Sequence, residues 1–259
     1  MIVAILQARM SSSRLPGKVL KPILGKPMLA RQLDRVRRAK RPDRMIVATS
    51  LDASDDPIAA LCREEGMTCY RGKLDDVLDR FYQAAMPLHP DHVVRLTGDC
   101  PLADPAVIDK VCDFHIAGGF DYSSNSIQPT YPDGLDVEIC RFECLKQAWT
   151  EAVLPSHREH VMPFIHKNPQ RFRIGHCRNN VDLSHLRWTV DEPDDFELVT
   201  KIYEALYPCD PAFDTAAILT LLQQKPEWKT ANIKYQRNEG GKKSLLADAQ
   251  FLKLTGKDK

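Results

Sequence analysis

Apolar residues in the first third of the chain fall into short unbroken runs. Residues 2–6 form the first, with no polar alternation, as expected for a strand covered on both faces. A second apolar run at 45–48 predicts another strand, and 67–70 and 92–96 read as two more. Helical spacing lies between them. Pro27 opens a helix to about residue 40, in keeping with proline at a first helical position. Asp55, Asp56 and Pro57 open another that ends near Gly66, and a third covers 75–85. Strands alternating with helices over residues 1–115 predict βαβ units and a largely parallel sheet.

The rhythm then changes. Strands at 121–126 and 135–140 flank the turn Tyr131-Pro132-Asp133-Gly134. Helices are expected at 142–152, 156–167 and 193–206, and strands near 171–177 and 186–190. Ser156 followed by Glu159 has the form of a capping box. From residue 237 a polar, glycine-containing stretch precedes a short amphipathic segment at 245–254, read as a weakly attached appendage or an oligomer contact. The expected organisation is one domain over 1–235, with halves meeting near 115, and a tail over 236–259.

Composition narrows the function classes. At 259 residues, 43% hydrophobic and 27% charged, the chain can bury a sizeable core. A formal net charge of +1 argues against a general nucleic-acid binder. No apolar run approaches the roughly 20 residues that span a bilayer. The first residues carry no basic segment before their apolar run, so a cytoplasmic location is expected and no membrane partner. Eight cysteines without a CxxC pair read as reduced, mostly buried thiols rather than a zinc or disulfide set. The charge is uneven, however. Residues 1–44 hold twelve Lys/Arg against two acids, a formal +10, and the remainder carries −9. That asymmetry points to an anion-binding corner facing an acidic one.

Three loops at expected strand ends carry candidate chemistry, since ligands of open α/β sheets collect there. The loop from Leu6 to Lys18 offers Ser11, Ser12 and Ser13, backbone N–H groups, and the cations Arg9, Arg14 and Lys18, the parts needed to wrap a polyphosphate. It is neither a Walker loop nor a Rossmann glycine fingerprint. Thr97-Gly98-Asp99 places a carboxylate where Mg²⁺ would meet phosphate oxygens. In Arg187-Trp188-Thr189-Val190-Asp191-Glu192-Pro193-Asp194-Asp195, Asp191 is the metal candidate, whereas Asp194 and Asp195 read as caps of the following helix. Asp133, Asp136 and Glu138 offer acceptors for sugar hydroxyls. Alternatively, Asp133 simply builds the turn and the other two, two apart on one strand face, look to water. Arg158 could grip a carboxylate or phosphate.

The stretch LQARMSSSRLPGKVL resembles the N-terminal signature of the nucleotide-sugar cytidylyltransferases, and is similar to the phosphate loop of the 3-deoxy-manno-octulosonate enzymes. With YRGKLDDVLDRFYQA, VVRLTGDCPLADP, YPDGLDVEI, SHREHVMPFI and RWTVDEPDDFELV, the likeness to the spore-coat polysaccharide type spans roughly residues 1–205. It implies an α/β fold, a Rossmann-like, mostly parallel sheet sandwiched by helices, with an inserted β-rich element that often serves dimerisation. It implies transfer of a cytidylyl group from CTP to a sugar, with Mg²⁺ on Asp99 and Asp191. Arg9, Ser13, Arg14 and Lys18 would meet the phosphates. Leu6, Gln7, Ala8, Arg71 and Thr97 would border the nucleotide, and Asp133, Asp136, Glu138 and Arg158 the acceptor. Cys100 stands where the octulosonate enzymes have an acid, so their sugar is not carried over. Other readings are a metal-dependent glycosyltransferase, which leaves the triphosphate loop unexplained, and a non-catalytic nucleotide-binding subunit.

Overall fold

The computed structural model describes residues 1–237 and 239–255. In chain order the elements are β1 (Ile2–Gln7), the hairpin β2 (Pro22–Ile23) and β3 (Lys26–Pro27), α1 (Met28–Val36), β4 (Arg44–Ser50), α2 (Asp56–Glu64), β5 (Thr68–Gly72) and α3 (Val77–Ala85). There follow β6 (His92–Thr97), α4 (Pro105–Gly118), β7 (Tyr122–Ser124), β8 (Glu138–Arg141), α5 (Phe142–Glu151), α6 (Pro155–His160) and α7 (Pro163–His166). The chain continues with β9 (Ile174–His176), α8 (Pro193–Leu206), α9 (Thr215–Gln224) and α10 (Glu239–Thr255).

Seven strands form one sheet in the order β5-β4-β1-β6-β8-β7-β9, and only β8 runs against the others. β1 is central and buried on both faces. Ala4 and Leu6 pack with α1, α2, α4, α8 and α9, while Val3 and Ile5 pack with α3, α5 and α7. That two-sided burial is why the run carries no polar alternation. Six of the eight cysteines are buried, and all eight are free thiols. Among the described residues no helix is long and apolar enough to cross a membrane.

Several expectations need correction. The run 186–190 forms no strand. Its N–H groups go to loops, Trp188 to Asp133 O (2.6 Å) and Val190 to Asp99 O (2.8 Å), and Arg187 makes one isolated bridge with Asp133. The strand expected at 135–140 begins only at Glu138, so Asp136 lies outside it and the shared-face argument fails. The helix expected at 156–167 is cut in two. Val161 takes a left-handed φ of 70° before Pro163, which cannot donate to the preceding turn. Ser156 is no cap, because it lies inside α6 behind Pro155 and its hydroxyl turns to Asp248.

Candidate active site

The loop after β1 and the loop after β6 meet at the carboxyl edge of the sheet. Gly98 N donates to Gln7 O at 2.8 Å, and a Cβ on Gly98 would lie 3.0 Å from both that oxygen and the Ala8 Cβ. Glycine thereby lets the Asp99 loop press against the end of β1. The segment 186–190 is drawn in from the other side. At Gly134, φ is +108° and an added Cβ would sit 2.5 Å from Thr189 N, so only glycine lets the Pro-Asp-Gly turn close on this segment. Its hydrogen bond from Val190 to Asp99 O sets Asp191 beside Asp99.

Lys18 joins the two carboxylates. Its ammonium donates to Asp191 Oδ1 (2.8 Å), Val190 O (2.7 Å) and Asp99 Oδ2 (3.4 Å), with only 9% of the side chain exposed. Burial alone would depress this ammonium, but Asp99 and Asp191 outweigh it and raise its pKa. Burial likewise works to raise Asp99, yet Lys18 and a hydrogen bond from the Thr97 side chain hold it below the usual carboxylate value. Arg14 reaches Asp191 Oδ2 at 3.0 Å and Glu192 Oε1 at 3.3 Å.

A second guanidinium anchors the acids. Arg187 bonds both oxygens of the fully buried Asp195 (2.9 and 2.8 Å), Asp133 Oδ2 (3.1 Å) and Asp191 Oδ2 (3.4 Å). Asp195 also accepts from the backbone N–H of Asp191 and Glu192, both at 2.9 Å, and so caps α8 as expected. Arg237 ion-pairs with Asp136, lies 3.7 Å from Asp133 and donates to Tyr131 O. Burial pushes Asp133 up, opposed by Arg237 and Arg187, and takes Asp136 up to about 7 against the pull of Arg237.

Other expected residues lie around this centre. Arg9 and Ser13 are exposed on the first loop, whereas Ala8 is buried and Leu6 packs its side chain in the core. Gln7 accepts from Arg95 at 3.1 Å. Arg95 also ion-pairs with Glu138, which takes the Tyr122 hydroxyl at 2.6 Å, so Glu138 does not look to water. Thr97 contacts the Cys100 thiol at 3.3 Å. Arg71 sits apart, at the ends of β4 and β5, holding Ser50 O, Asp52 O and Asp56. Arg158 is engaged within the fold, by both oxygens of Asp76 and by Trp149 O, and is not presented to the cluster.

Sequence reasoning assigned no role to Arg187, Arg237, Arg95 or Arg80. Arg187 was within reach, four residues before Asp191 in the same motif. Arg80 is 2% exposed, and its Nε and Nη1 have no hydrogen-bond partner among the described residues.

Among the described residues no group of three metal-binding side chains forms a ready cage. Asp99 and Asp191 do converge, since one ammonium bridges them, and they offer hard oxygen donors. Such a pair fits Mg²⁺, which takes one or two carboxylates and fills its octahedron with phosphate oxygens and water.

The site can be set against known proteins. A cytidylyltransferase family matches residues 3–239. The chain is 31% identical over 241 residues to the spore coat polysaccharide biosynthesis protein SpsF of Bacillus subtilis, covering 88% of this chain and 97% of that one. It is similar to the structure of a cytidylyltransferase from Leptospira borgpetersenii, with TM-score 0.85, 28% identity, and coverage of 91% and 99%. A CMP:2-keto-3-deoxy-manno-octonic acid synthetase complexed with CTP shares the fold, with TM-score 0.59, 18% identity, and coverage of 79% and 98%.

Proposed function

Because the chain belongs to the cytidylyltransferase family, we propose that it transfers the cytidylyl group of CTP to a sugar hydroxyl or acidic sugar. The products are a CMP-sugar for cell-surface polysaccharide and pyrophosphate. The observation that carries this reading is the meeting of Lys18 and Arg14, from the loop after β1, with Asp99 and Asp191 at one strand edge. Cations and carboxylates side by side are what a metal–triphosphate complex requires, and a site for an uncharged ligand would need neither.

The acceptor oxygen attacks the α-phosphorus in line and the bond to pyrophosphate breaks. Positioning and charge neutralisation supply most of the catalysis in such transfers. Lys18 and Arg14 bind phosphate oxygens and stabilise charge on the departing pyrophosphate, a role worth about 3–4 kcal/mol for one well-placed donor. Asp99 and Asp191 would hold Mg²⁺, which when bound would polarise the phosphate and reduce its repulsion of the nucleophile. Arg187 keeps Asp191 aimed at that position while it is shared with Asp195. Asp133 and Asp136, beside Asp99, form the wall nearest the acceptor, and Arg237 holds both in place.

A thermal-shift panel of CTP, UTP, GTP, ATP and dTTP with Mg²⁺ tests the nucleotide. At a hundredfold excess over Kd a ligand adds about 2.7 kcal/mol of stability. CTP should therefore raise Tm by several degrees and the others by less. An equal or larger shift with another triphosphate would contradict the reading.

A further inference from the structure

Each oxygen of Asp191 already has a cationic partner. Lys18 takes Oδ1, while Arg14 and Arg187 take Oδ2. Lys18 is equally committed, with its three contacts matching the three donors of an ammonium. A metal ion bridging Asp99 and Asp191 would have to lie where this buried ammonium now lies, or against it, and the two cations repel. Among the described residues no third acidic, histidine or cysteine ligand is arranged to compensate.

We propose that Lys18 is the resident counter-ion of the Asp99–Asp191 pair, and that the divalent cation binds only after a triphosphate has drawn Lys18 and Arg14 off those carboxylates. The inference rests on the reading above for the identity of the incoming anion. Triphosphate oxygens give Lys18 and Arg14 new partners, so neither charge is left buried and bare. The same exchange frees carboxylate oxygens for the metal and brings further phosphate ligands to it. Arg187 is not part of the exchange, because Asp195 and Asp133 hold it. It keeps Asp191 in position throughout. Lys18 can move because its stem is a flexible four-carbon chain, on the short 3-10 turn Lys18–Leu20. Linkage then requires metal and nucleotide to tighten each other's binding by the same factor.

Titration of the full-length protein with Mn²⁺, followed by electron paramagnetic resonance of the free ion, tests this without turnover. The wild type alone should bind Mn²⁺ at least tenfold more weakly than the wild type saturated with a non-hydrolysable CTP analogue. Lys18→Met should gain tenfold or more in Mn²⁺ affinity without nucleotide, although a site residue has been removed. Lys18→Arg, which keeps the cation, should stay as weak as wild type. Wild type binding Mn²⁺ alone as tightly as Lys18→Met would overturn the proposal. If Lys18→Met does not fold, as judged by its melting curve, the analogue arm decides: a wild-type affinity unchanged by the analogue overturns it. A gain in Lys18→Met combined with no binding of any triphosphate to the wild type would keep the counter-ion role and reject the nucleotide reading instead.

Discussion

Arg187 spreads one guanidinium over Asp195, Asp133 and Asp191, so removing it strands carboxylates rather than a single bond. Arg187→Met leaves the buried Asp195 without its counter-ion and should cost about 3–5 kcal/mol. In urea unfolding, the midpoint should fall with little change in slope; a loss under 1 kcal/mol would refute the anchoring role. A second buried group sets the acid response. His115 is fully buried between the Ser123 hydroxyl (2.9 Å) and His92 (3.1 Å). Burial, aided by His92 and Arg141, lowers its pKa to about 3. The unfolded chain therefore binds the proton more readily. The stability contributed is whole above pH 6.5 and is lost as pH falls from there toward 3, by about 1.4 kcal/mol per unit at the steepest. The stability of His115→Gln should vary less than that of wild type between pH 7 and pH 4, and parallel curves would contradict this.

At the scale of elements, uninterrupted apolar runs made β1 and β4 legible, because strands covered on both faces have no polar side to hide the signal. Helices α4 and α9 went unread although their start signals are present. Asp104 caps Pro105–Gly118 by accepting from Ala106 N, and Asp214 caps Thr215–Gln224 by accepting from Ala217 N. The run 186–190 misled because burial, not pairing, makes it apolar. The tail was read as a weakly attached appendage or an oligomer contact, and α10 packs against α6 in the same chain. Asp248 accepts from the N–H (2.8 Å) and hydroxyl (2.5 Å) of Ser156, and the Ser244 hydroxyl meets His160 and Glu159 at 2.8 Å. Asp248→Ala leaves a buried N–H unpaired, a loss of about 1–3 kcal/mol. Amide exchange over 155–160 and 239–255 should accelerate while the rest of the domain keeps its protection. Unchanged exchange in both segments would show that this contact does not hold the helix.

Over the whole molecule, the charge asymmetry was the most informative number in the sequence. The basic first 44 residues and the acidic remainder meet where Arg14 and Lys18 pair with Asp99, Asp191 and Glu192. Composition could show that an anion site faces an acidic corner, and the motif order could place both at strand ends. The partners of the remaining acids could not be read, because they come from far along the chain. Arg237 reaches back to Asp136, and Arg95 crosses from β6 to Glu138 on β8. Long-range pairs of this kind leave no local spacing to detect. Glu138 was therefore read as either an acceptor for sugar hydroxyls or a solvated carboxylate, and it is held by a guanidinium and a phenol.

The most direct measurement is phosphorus NMR of the protein incubated with CTP, Mg²⁺ and a panel of sugars and sugar acids. A cytidylyltransferase of this type should give inorganic pyrophosphate and, in equal amount, a phosphodiester resonance from a CMP-sugar with one member of the panel. It should give neither when Asp99→Asn replaces the wild type. Release of orthophosphate and CDP, or a diphosphate-linked product made from a sugar phosphate, would contradict the account.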